Sequence, residues 1–255
     1  MNHRTVLCLA LAALTCTAIP AHAKARLGSD CDLGSRHSFR IDPARLVFIE
    51  AGSQREIVLL PGGDIQVDGR NLALDPADRA RADALERGLR ELVPEVKGVA
   101  IDAIGIAFEA VGHAASAFAS SPAEARRSAD RVARVAAELQ HSIETKQSWD
   151  ATTDAELERA VEQAVGSLVG EMVGNVTTMA LKLAFSGDEA AIAELEARAD
   201  AIEKTVEAAV EQRSAEIERR AAELCSRLDA LDGVESAITA RLPDGSPLDL
   251  VRPAR

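Results

Sequence analysis

Between residues 39 and 74 apolar positions come in short runs, FRI, RLVFIE, EIVLL, DIQV and NLAL, that are β-branched or alternate with polar residues. Such a period of two is the mark of strands with one face turned to a core. Turn residues separate the runs: Asp68-Gly69 is a strong two-residue hairpin signal, and Pro61-Gly62-Gly63-Asp64 is another turn. The pattern predicts a small antiparallel meander of three to five strands. Alone it would be marginal, so one face is expected to pack on helices.

At residue 75 the period becomes helical. Asp75 is placed as an N-cap, Pro76 at the first helical position and Asp78 in the first turn, opening a helix over 76–93 whose buried face carries Leu85, Leu89, Leu92 and Val93. Pro94 is read as its end. The following segment, 96–119, is apolar except for a narrow stripe of Asp102, Glu109, His113 and Ser116, which describes a helix buried on most sides. Ser121 and Glu124 form a capping box for a further helix, in which Ala125, Ala129, Val132, Ala136, Leu139 and Ile143 make a heptad seam reaching about residue 149. A second box, Thr153 to Glu156, opens a helix that contains Gly166, Gly170 and Gly174 and ends near Gly187. Three glycines inside a helix cost about 3 kcal/mol relative to alanine, which some close packing should offset.

The longest periodic segment is 188–231. Ile192, Leu195, Ala199, Ile202 and Val206 keep a heptad, a stutter follows at Val210 and Ser214, and Ile217, Ala221, Leu224, Leu228 and Leu231 resume it. As one helix it would be about 65 Å long, with Gly233 as its stop. The tail, 234–255, has a turn at Pro243-Asp244-Gly245 and is expected to be a weak hairpin or loose. The fold class is therefore α+β: a β-meander in 24–75 packed on a mainly helical bundle in 76–233 with long coiled-coil-like helices, 24–255 forming one domain.

The first residues change the compartment. A short n-region with Arg4, an uncharged apolar run over 5–19 and Ala21-His22-Ala23 together read as a cleavable signal peptide, residues 1–23, cut after Ala23. The run is too short to span a membrane, which takes about 20 residues as helix. Cys16 follows Leu14-Thr15, and threonine there argues against a lipidation site. Cleavage removes Cys8 and Cys16 and leaves Cys31 and Cys225 in an oxidising compartment. Two cysteines allow one bridge; two unpaired buried thiols are the other reading.

Formal charge is −12, and −13 without the leader, whose only charged side chain is Arg4. Basic residues are interleaved with acids, so nucleic acid and anionic lipid are poor partners. Aromatic residues are 2% of the chain with no tyrosine, which nearly excludes stacking platforms for bases or sugars. Glu109 and His113, at i and i+4, with Asp102 two turns earlier, are the one pair that would start a metal site, and a third ligand is missing; a polar stripe is the commoner meaning. Outside the leader the histidines are His37, His113 and His141, and there is no HExxH, GxSxG or phosphate loop. No catalytic, metal or cofactor residue is assigned. The spacing of Gly166, Gly170 and Gly174 suits close helix packing, and Glu162, Glu171 and Lys182 on its flanks make a membrane span costly. Packing inside a soluble bundle is favoured over membrane contact or self-association.

Cys31 after the leader, the strand text PGGDIQVDGRNLAL, the helix ending LRELVPEV and LCSRLDAL around Cys225 together resemble the YggN-like family of Gram-negative periplasmic proteins, a domain of unknown function. The resemblance covers most of the mature chain. It implies the periplasm and a disulfide between Cys31 and Cys225, and it carries no active-site residue. The expected function is a noncatalytic binding or scaffold protein of the envelope that holds an envelope protein or itself. A membrane-associating helical protein is the alternative, and a metal-dependent hydrolase the remoter one.

Overall fold

The computed structural model describes residues 37–251 apart from 118, 120, 150, 187 and 188. Five strands follow one another: β1 (His37–Asp42), β2 (Arg45–Glu50), β3 (Glu56–Leu59), β4 (Ile65–Val67) and β5 (Arg70–Asn71). They form the expected meander, all antiparallel. Asp68 and Gly69 both have positive φ, 49° and 75°, the type I′ geometry that lets Val67 face Arg70 across a two-residue turn. Leu46, Phe48, Ile57, Leu59, Ile65 and Val67 turn one face to the main core. Val47 and Val58, paired on the opposite face, are also buried.

A sixth strand was not expected. After α1 (Pro76–Ala117) and α2 (Pro122–Thr145), β6 (Ser148–Trp149) returns to the sheet and pairs with β1, giving the order β5-β4-β3-β2-β1-β6. The seam of α2 therefore stops at Thr145, short of the predicted 149. Trp149 stacks on Phe39 at 5.5 Å between ring centroids, and the Lys97 ammonium lies 5.3 Å over the same ring. Lys97 also donates to the Glu144 carbonyl, so α1, α2 and β6 meet there. Two residues of strand carry too little pattern to be seen, and the tryptophan supplies the packing.

α1 corrects the break predicted at Pro94. The helix runs 42 residues with Pro94 inside and solvent-exposed. A proline removes one ladder bond at a cost of about 3 kcal/mol. Packing on both sides offsets it: Leu92 before and Val99 after both bury against Leu224. The start is as read, with the Asp75 carboxylate accepting the Asp78 amide at 2.7 Å. The Ser121 cap of α2 likewise accepts the Glu124 amide at 3.2 Å.

Two long helices complete the chain, α3 (Ala151–Ser186) and α4 (Glu189–Ser236). α3 opens two residues before the predicted Thr153 cap, and its predicted stop, Gly187, lies outside the described residues. α4 runs through Gly233 without stopping and is 48 residues, about 72 Å, long. It lies antiparallel to α1. Leu224 sits against Leu92 and Val99, with Ile217, Leu228 and Leu231 around them. Beside this seam runs a ladder of ions: Glu95 with Arg227 at 2.5 Å, Asp102 with Arg220, and Glu109 with Arg213. Both helices step by seven residues between rungs, in opposite directions, so one register satisfies all three. Gly88 permits the approach at the sheet end, where a Cβ would come within 2.4 Å of the Leu231 side chain.

The C-terminal tail also differs from expectation. Ile238, Leu242, Leu248, Leu250 and Val251 are buried in the same core as the sheet. The tail turns at Pro243-Asp244-Gly245, bridging Arg241 to Pro247, and Arg55 at the start of β3 holds Asp244 at 2.7 Å. The apolar positions here are too few and too irregular to announce a strand or helix. What fixes the tail is hydrogen bonding to acids on two helices.

Gly63, in the β3–β4 turn, has φ +84°, and a Cβ there would lie 2.0 Å from the Arg79 carbonyl oxygen, whereas Gly62 beside it faces open space. Gly63→Ala is expected to lower the unfolding free energy by about 3 kcal/mol and Gly62→Ala by about 1 kcal/mol, measured by urea titration. Equal effects would remove the close approach as the reason for glycine at 63.

Candidate functional site

The stripe on α1 is the first place to look for chemistry. Asp102 and Glu109 point to α4, where Arg220 and Arg213 hold them. His113 Nε2 stands 3.9 Å from the second oxygen of Glu109, and both side chains are about half exposed. Among the described residues no three of His, Cys, Asp and Glu gather as metal ligands would. The carboxylate a metal would need is already neutralised by arginine. Asp102 and Glu109 therefore belong to the helix register. α1 also contains an 18-residue window apolar enough to cross a membrane by length and composition, and these ion pairs give its acids a partner inside the bundle.

The glycines of α3 are placed otherwise than expected. Leu157, Val161, Ala164, Val165 and Leu168 make the packed face, meeting Phe108 of α1 and Val132 and Leu139 of α2. Gly166, Gly170 and Gly174 are exposed on the opposite side, and a Cβ on any of them would meet nothing within 4 Å. Among the described residues they meet no second helix. Small residues at a four-residue spacing mark a helix face without saying whether it is the covered one.

Around them the same face carries Val169, Val173, Leu181 and Phe185, the last two 54% and 88% exposed. With Thr177 they form a surface about 30 Å long on which none of the described side chains is charged. Lone exposed apolar side chains are ordinary, but a contiguous charge-free face is not. Only Asn175, on the packed side, ties this half of α3 back, donating to the Glu124 carboxylate at 3.0 Å among the hydrogen bonds of the described residues.

Cys225 lies half-buried on α4 and is not a free side chain. Its expected partner, Cys31, lies outside the described residues, as do the expected leader and its expected cleavage site.

Sequence reasoning missed two acids that grip the C-terminal tail. Asp78 is buried and accepts the amides of Thr239 and Ala240 at 3.1 and 2.9 Å and the Thr239 hydroxyl at 2.8 Å, with Arg81 at 2.7 Å as its counter-ion. The Thr239 amide is the strongest influence on this carboxyl, ahead of burial, and the group is held below the ordinary aspartate range. Glu235, near the end of α4, is equally buried and accepts the amides of Leu250 and Val251 at 2.7 and 2.9 Å. Asp78 had been seen only as a first-turn acid. The one signal available for Glu235 was an acid at a helix C-terminus, where the macrodipole disfavours it.

A family model described as a protein of unknown function, DUF2884, matches residues 31–251. The chain belongs to that family. It is the family of the YggN-like proteins that the sequence resembles. The matched span opens at Cys31 and closes on Val251, the residue whose amide Glu235 holds. No curated protein and no solved structure shows detectable similarity to the chain.

Because its carboxyl is depressed in the folded state, Asp78 adds stability above the unfolded value of 3.8 and loses it as pH falls below that value. Asp78→Asn is thus expected to lower the urea midpoint at pH 7 and to differ less from the parent at pH 3. A constant difference at both pH values would show that its charge is not what holds Thr239 and Ala240.

Proposed function

We propose that the protein is a noncatalytic binding protein of the cell envelope that holds an apolar segment of another envelope protein against the outer face of α3. The single observation that carries this reading is the apolar exposed face of Val169, Val173, Leu181 and Phe185, the first two set between Gly166, Gly170 and Gly174. An apolar side chain of a partner gains most where it can approach a backbone closely, and glycine permits that approach. The packed side of α3 is anchored on α1 and α2 as far as Leu168, and Asn175 ties the following turns to Glu124. Catalysis is not part of the proposal, since the acids weighed for it, Asp102 and Glu109, are engaged by arginines of the ion-pair ladder.

Export supports the same picture. The leader, residues 1–23, directs the chain to the periplasm, and its removal leaves Cys225 with Cys31 as the one cysteine to pair with. The bridge would tie α4 to the first residues of the mature chain. Alkylation of the denatured mature protein is expected to add two groups only after reduction; two groups added without reduction would remove the bridge.

The binding reading is tested by placing a photocrosslinking amino acid at position 173 or 185, and at Arg126 on the exposed side of α2 as a control, in intact cells. Adducts with another envelope protein at 173 and 185 but not at 126 are expected. Val173→Ser with Phe185→Ser should abolish function of the face at a stability cost within about 0.5 kcal/mol per residue, as exposed positions allow. Recovery of monomer alone at all three positions would overturn the proposal. Adducts of two copies of the chain would replace it with self-association, and flotation with liposomes without crosslinks with a membrane role.

A further inference from the structure

Glu235 stands where a carboxylate is least favoured. It is 2% exposed, it lies one residue from the end of a 48-residue helix, and the last turn of that helix contains no basic residue. The unpaired carbonyls of a helix C-terminus make a partial negative charge that repels an acid. Among the described residues the charges that act on it are acids as well, Asp232 on the preceding turn of α4 and Asp249 in the tail. On α1 the charged groups at the tail are Asp78 and its counter-ion Arg81, and on the sheet Arg55 is engaged by Asp244. What favours the carboxylate is a pair of amides, Leu250 and Val251, one on each oxygen.

We propose that residues 237–251 form a pH-sensitive latch across the main core, with Glu235 as its titrating catch and Asp78 as its fixed hinge. The two acids divide the work. Asp78 grips Thr239 and Ala240 at the near end of the tail and keeps its charge, with Arg81 beside it. Glu235 grips Leu250 and Val251 at the far end with no cation in its helical turn. Between these two points the tail buries Leu242 and Leu248 in the core it shares with the sheet.

Burial is the largest influence on Glu235 and raises its carboxyl; the amides of Leu250 and Val251 lower it, Asp249 and Asp232 raise it, and the group settles at about 7. The unfolded or opened value is near 4.5. The closed state therefore binds the proton more tightly than the open one between these values. Closure is strongest at and below 4.5 and weakens as pH rises through 7. On protonation one amide keeps a carbonyl acceptor and the other loses strength, while the cost of burying a charge disappears. Above neutrality the charge returns, and opening the far end of the tail lets water solvate it. Val251 leaves first, with Leu250 and Leu248 behind it, while Asp78 still holds Thr239.

Amide hydrogen exchange of the full mature chain, read by NMR at Leu250 and Val251, tests the latch. After correction for the intrinsic rate, exchange at pH 8 is expected to be about tenfold faster than at pH 6, with Thr239 and Ala240 unchanged. Glu235→Gln should abolish the difference. Asp249→Asn, which leaves the catch in place and removes a neighbouring charge, should move the midpoint to lower pH. Equal exchange at pH 6 and 8 in the parent overturns the latch, as does the parent's difference persisting in Glu235→Gln. If Glu235→Gln does not fold, an unmoved midpoint in Asp249→Asn overturns it equally.

Discussion

Everything in the helical part hangs from one antiparallel register, that of α1 against α4. It is set by an apolar seam, in which Leu224 fills the space between Leu92 and Val99, and by rungs of opposite charge at seven-residue steps. Each rung is partly exposed, and such pairs add only about 0.5 kcal/mol apiece. Their value is in selection. A slip of one residue would break all three pairs at once while also turning Leu224 out of its place. The seam gives the stability and the ladder chooses which alignment receives it. With that register set, α2 is laid on α1, with Gln140 donating to the Ile101 carbonyl at 3.1 Å, and α3 on both.

The same register explains why a proline is tolerated in mid-helix. Pro94 falls between Glu91 and Glu95, which reach Arg227 from either side, and just past Leu92. Tertiary contacts keep the helix continuous through the missing hydrogen bond. Local rules read that position correctly in isolation and failed because a partner 130 residues away outweighed them.

Most of the architecture was legible where a pattern repeats. The five strands and their turns, the caps at Asp75 and Ser121, the seam of α2 and the later part of that of α4, Ile217 to Leu231, follow from periodicity and capping chemistry, while the side chains of its earlier part, Ile192 to Val206, lie outside the described residues. What stayed hidden depends on single long-range contacts. β6 is two residues long and is made a strand by Trp149 finding Phe39. The order of the tail comes from Asp78 and Glu235, whose partners in it are, apart from the Thr239 hydroxyl, backbone amides that leave no trace in side-chain identity. Spacing showed that Gly166, Gly170 and Gly174 share a face, and only the position of Leu168 and Val165 on the other side shows that this face is outward.

The tail's place in the core has a consequence for how the molecule forms. Strands β1 to β4, near the front of the chain, share their hydrophobic core with Ile238, Leu242 and Leu250, about 200 residues later. A chain delivered from its N-terminus makes the meander first and must wait for nearly its whole length before the core can close. Contacts at such separation slow folding, because the entropy of the intervening loop is lost before the contact is gained. The helices α1 and α4 shorten that search. Once their register is found, the end of α4 is carried to the sheet, and the tail folds against a surface already beside it.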